Sequence, residues 1–108
     1  MLFVLGALSA ALAIAAGAFG AHGVTDPKAV EYLRTGGMYQ LVHAVAVIAL
    51  AGQMRGPSWL LLTGAAIFAS TLYVMAMGGP KWLGAVTPIG GTLMIAGWVW
   101  AAWSFSRG

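Results

Sequence analysis

All seven charged side chains of this 108-residue chain fall between or after four long apolar stretches, and that spacing restricts the fold more than any other feature. Asp26, Lys28, Glu31 and Arg34 share one short segment, while Arg55, Lys81 and Arg107 stand alone at later breaks. The intervening stretches, 1–21, 36–54, 59–78 and 82–105, are each roughly 19–24 residues, and about 20 helical residues cross a ~30 Å hydrocarbon core. Open strands are excluded there, because unpaired backbone groups cannot be left facing lipid. The spacing therefore predicts an all-α membrane protein, a four-helix transmembrane bundle forming a single domain over 1–108.

Composition agrees. The chain is 61% hydrophobic and 6% charged, whereas a water-facing domain carries about 25% charged residues. The absence of cysteine excludes disulfides, thiolate catalysis and cysteine-ligated zinc or iron–sulfur clusters. Five Lys/Arg outnumber two Asp/Glu, but no basic run or aromatic–basic interleaving gives nucleic acid a footprint. The positive balance instead predicts contact with lipid headgroups.

The ends of the stretches are consistent with spans. Trp59 and Trp82 stand where two helices enter the membrane, and Trp98, Trp100 and Trp103 crowd the last third of the fourth, as in aromatic belts. Gly56-Pro57 and Gly79-Pro80 read as tight turns between antiparallel neighbours. The first connection differs: Thr25 and Asp26 suit an N-cap and Pro27 the first helical position. Lys28–Glu31 and Glu31–Arg34 are spaced as ion pairs on a helix. Residues 27–35 read as a short amphipathic helix at the headgroups, either separate or running on into helix two with a bend at Gly36-Gly37. Residues 1–21 lack a basic leader and have a long apolar stretch, so they read as a retained span rather than a cleaved signal. Arg55 and Arg107 against Lys28, Arg34 and Lys81 is too even a split to assign orientation by the positive-inside rule.

Gly6, Ala10, Ala13 and Gly17 give the first helix a face of small residues on which backbones can approach closely in lipid. That face packs the bundle internally or contributes to a homo-oligomer or larger membrane complex.

The polar residues within the spans carry the functional information. Tyr39, Gln40 and His43 share one face of helix two, and His43 lies about 13 Å along the helix from Arg34. Helix one exits on that side at His22, helix three after Ser70 and Tyr73, and Thr87 lies roughly 9 Å inward from Lys81. The candidate intramembrane cluster is thus His22, Tyr39, Gln40, His43, Ser70, Tyr73 and Thr87, with Ser9 and Thr63 left in the opposite half. Pro88 lacks an N–H, and with Gly90 and Gly91 it predicts a helix break able to expose carbonyls to the cluster, as in transporters. The cluster reads either as interhelical glue or as a small polar pocket. Two histidines without nearby carboxylates are too few for a typical zinc site, so no metal or cofactor is expected. No nucleophile–base pair or phosphate loop occurs either, so the expectation is a non-enzyme.

Several segments resemble a known family when read in order. These are Gly17-Ala-Phe-Gly-Ala-His22-Gly23, Tyr39-Gln40 with His43-Ala44, Ser70 with Leu72-Tyr73, and Thr87-Pro88-Ile-Gly90-Gly91 followed by Gly97-Trp98. The chain resembles the domain of unknown function 423 family, which includes transmembrane protein 256-like proteins, over nearly its whole length. It departs at Ala69, where the pattern has Gly before the Ser. The resemblance implies a four-span protein of the bacterial inner membrane and no established activity. Two functional expectations follow: an accessory or scaffold component acting through helix–helix contacts, or binding or transport of a small polar solute, ion or lipid headgroup through the cluster.

Overall fold

A computed structural model covering residues 1–108 contains four long helices: α1 (Leu2–His22), α2 (Pro27–Leu50), α3 (Arg55–Ala76) and α4 (Thr87–Ser106), with a 3-10 turn over Lys81–Ala85 before the last. All four are long and apolar enough to cross a membrane, the last counted from Lys81. Their outward side chains are large and apolar, among them Phe3, Leu8, Leu12, Val42, Val45, Ile95 and Val99. In water such a surface would be an aggregation site; facing hydrocarbon it is the solvated surface.

The helices follow one another in a row. α1 packs on α2, α2 on α3 and α3 on α4, and α1 also touches α3, but no Cα of α4 comes within 8 Å of α1 or α2. Glycines set the closest crossings. A Cβ on Gly37 would lie 3.2 Å from the carbonyl oxygen of Ala13, and one on Gly90 would lie 2.5 Å from the backbone nitrogen of Phe68. Lipid supplies little hydrophobic drive between helices, so such close backbone contact, with the dispersion attraction it brings, holds them together. Gly6 and Ala13 of the small-residue face are buried against α2. A buried apolar cluster gathers Leu2, Ala46, Val47, Ala51 and Leu61 at the end that carries Arg55.

Three expectations are corrected. No separate interfacial helix exists: residues 27–35 are the first turns of a continuous α2, whose N-cap Asp26 accepts from the Ala29 N–H at 3.1 Å. Gly36 and Gly37 do not interrupt it, because they keep their backbone hydrogen-bonding groups and serve instead to admit the Tyr73 ring and the α1 backbone. The anticipated charge pairs there are replaced by Lys28 lying 5.3 Å from the centre of the Tyr32 ring. Next, Gly56-Pro57 is not a turn. The connection is Ala51–Met54, and Pro57 sits in the first turn of α3, where a missing N–H costs nothing. Last, Pro88 does not break a helix, since α4 begins at Thr87 and the proline occupies its first turn. The span that starts at Lys81 passes from 3-10 to α hydrogen bonding just earlier, at Val86, which is itself right-handed helical.

Gly79-Pro80 does lie in a connection. Gly78, at φ +90°, takes the left-handed conformation that closes α3. Gly79 N–H donates to the Val74 carbonyl at 2.8 Å and Gly78 N–H to that of Met75 at 3.1 Å, the two bonds of a Schellman motif.

Candidate functional site

The intramembrane polar side chains form three separate joints, each tying helices together. In the first, Gln40 of α2 donates from Nε2 to Ser9 Oγ of α1 at 3.0 Å, and its Oε1 accepts from the Tyr73 hydroxyl of α3 at 2.6 Å. One buried amide therefore fastens three helices. Tyr73 reaches it because Gly36 leaves room for the phenol ring on the face of α2 below Gln40.

The second joint links α2 to α4. His43 Nδ1 lies 2.7 Å from the Tyr39 carbonyl oxygen, and Trp98 Nε1 lies 3.0 Å from His43 Nε2. A carbonyl can only accept and an indole N–H can only donate, so the ring is the neutral tautomer protonated at Nδ1. Both nitrogens are occupied, and the Nε2 lone pair that a metal would need is already used. The Trp98 and His43 rings meet edge-on with centroids 5.9 Å apart, and Tyr39 stacks on His43 at 6.2 Å and tilts onto Phe68 at 4.8 Å. Because the α2 and α4 backbones stay apart, a groove of about 340 Å³ remains between them, lined by Tyr39, His43, Phe68, Gly91 and Trp98.

The third joint links α3 to α4. Thr71 and Thr87 hydroxyls lie 2.6 Å apart, with the Phe68 carbonyl 2.9 Å from Thr71 and the Leu83 carbonyl 3.1 Å from Thr87. Through Leu83 the same threonine pins the 3-10 turn to the start of α4.

The seven predicted residues thus divide. Gln40, His43, Tyr73 and Thr87 all make interhelical bonds, and Tyr39 contributes its carbonyl and ring. Ser70 is exposed and bonds only the Ile67 carbonyl of its own helix, at 3.3 Å. His22 is exposed at the end of α1. Of the anticipated break, Gly90 instead makes a tight crossing with α3, while Gly91 has open space where a Cβ would be. Ser9, expected in the opposite half, instead joins the cluster through Gln40, and sequence reasoning missed the roles of Thr71 and Trp98. The signal for Trp98 was available, since Thr87, Gly91, Met94 and Trp98 recur at helical spacing on one face.

Fold and polar joints together define a small multi-pass membrane protein. The family described as protein of unknown function (DUF423) matches residues 16–91. The chain is 37% identical to a UPF0382 membrane protein of Staphylococcus saprophyticus over 89% of its own length and 88% of the relative's. It is 34% identical to UPF0382 membrane protein YwdK of Bacillus subtilis, again over 89% and 88%. It is 36% identical to a UPF0382 membrane protein of Haemophilus influenzae over 86% and 83%. No solved structure matches. This chain belongs to the DUF423 family.

Proposed function

We propose that this chain is a non-enzymatic accessory or scaffold component of the bacterial inner membrane, acting through lipid-embedded helix–helix contacts. The observation that carries this reading is the position of α4: its backbone packs against α3 alone, and its outward face presents Ile95, Val99 and Trp103. The buried polar groups support it as well, because both amide atoms of Gln40 and both ring nitrogens of His43 have hydrogen-bond partners within the chain. With no native cysteine, Ile95→Cys and Val99→Cys each supply a unique handle for crosslinking in native membranes. A discrete adduct, to a partner or to a second copy, is the expected result. Absence of any adduct at both positions, with the purified protein a lone monomer, would sink this reading.

A second reading, binding of a small polar solute or ion through the cluster, is favoured by the groove beside His43 and Trp98. Under it, His43→Leu abolishes ligand binding. A His43→Leu protein that is more stable and otherwise unchanged in the cell would leave the cluster a purely structural role.

A further inference from the structure

Arg34 is an exposed cation beside the end of the α1–α2 crossing. It belongs to the second turn of α2, beside Leu33, whose side chain packs where a Cβ of Gly20 would lie, at 3.0 Å. Arg34 is therefore level with the last turn of α1 rather than beyond it. Its guanidinium takes part in none of the side-chain hydrogen bonds of the protein. An exposed cation at the boundary of a span pairs with an anion or extends into the headgroup layer.

Arg34 also lines a groove of about 690 Å³ between α1 and α2. Its walls are Gly17, Ala18, Ala21, Gly37 and Met38, and it runs from Arg34 inward as far as Leu41. Gly17 is informative. A Cβ there would meet nothing within 4 Å, so helix packing does not require this glycine, and what its missing side chain leaves is space in the groove.

We propose that this groove binds one anionic phospholipid, its phosphate held by Arg34 and an acyl chain lying along Gly17, Ala18 and Gly37. The guanidinium fork matches a phosphate bidentately, and basic side chains at this level attract anionic lipid. The small-residue walls accept a flexible chain, and the charge at the mouth distinguishes a lipid from a neighbouring helix as occupant. The site is separate from the His43 groove, and the proposal stands whether or not the scaffold reading does.

Native mass spectrometry of the purified protein, titrated with phosphatidylglycerol and with phosphatidylcholine, tests it. Phosphatidylglycerol is expected to be retained preferentially. Arg34→Gln should weaken its binding by about tenfold or more, as expected for loss of a charge-assisted hydrogen bond, while Arg107→Gln has no such effect. Arg34→Lys, which keeps the charge but not the fork, should fall between. Gly17→Leu should fill the groove and weaken binding of the same lipid with the helical content intact. Equal retention of the two lipids, equal loss in Arg34→Gln and Arg107→Gln, or undiminished binding in Gly17→Leu would overturn the proposal. So would efficient disulfide dimerisation of Ala18→Cys in lipid, which would assign the groove to a second copy.

Discussion

Trp98 donates its indole N–H to His43 Nε2 at 3.0 Å across two helices whose backbones do not touch. With the tautomer fixed by the Tyr39 carbonyl, this bond is a direct polar tie between α2 and α4. Trp98→Phe keeps an aromatic ring there and leaves the imidazole nitrogen unpaired. The expected loss is about 1–2 kcal/mol, read as a lower midpoint for unfolding in detergent. Trp103→Phe, five residues further along α4 and exposed, should leave the midpoint within error.

Gln40 illustrates the asymmetry between losing one partner and losing both. Gln40→Leu strands the Tyr73 hydroxyl and the Ser9 hydroxyl, and should cost about 1–3 kcal/mol. Adding Tyr73→Phe removes the orphaned hydroxyl as well. The double variant should therefore recover part of the loss, a coupling that a double-mutant cycle measures. Strict additivity would refute the shared-amide joint.

Neighbouring glycines on α4 should behave oppositely. A Cβ on Gly90 would collide with the Phe68 and Gly64 backbones, whereas a Cβ on Gly91 meets nothing. Gly90→Ala is expected to destabilise by about 1–3 kcal/mol through forced separation of α3 and α4. Gly91→Ala should be neutral or stabilise by about 0.4–1 kcal/mol through the unfolded chain. Thermal unfolding of the pair in one detergent is sufficient to check this.

Ser58 is fully buried near the start of α3, and its hydroxyl has no hydrogen-bond partner. Burying such a group unpaired is unfavourable. Ser58→Ala, which removes the hydroxyl with little change of shape, should leave stability unchanged or raise it by about 1 kcal/mol. A clear loss of stability would show that the hydroxyl is bonded in the membrane.

The four spans and the polar face of α2 were legible in the sequence because both follow from spacing along single helices: charges mark the breaks, and Tyr39, Gln40 and His43 recur on one face. Misreadings arose where a residue has two physical uses. Gly36-Gly37 and Gly56-Pro57 are as apt for close packing or a helix start as for a bend, and only the neighbouring backbone decides. Ser9 reads into the opposite half because its partner lies on a different helix. Serine alone in an apolar run gives no hint of its contact, and the register that brings the middles of α1 and α2 together is set by Gly6, Ala13 and Gly37. Ser70 misled for the converse reason. It is polar and correctly spaced, yet in α3 it can satisfy its hydroxyl on its own carbonyls and face outward.

The row arrangement also bears on how the molecule is made. Each helix finds its principal support in the one synthesised just before it, so assembly can proceed hairpin by hairpin as the chain emerges into the bilayer, without waiting for its two ends to find each other. A polypeptide stopped after Ala76 would already hold the Ser9–Gln40–Tyr73 joint, and α4 would arrive last onto a finished platform.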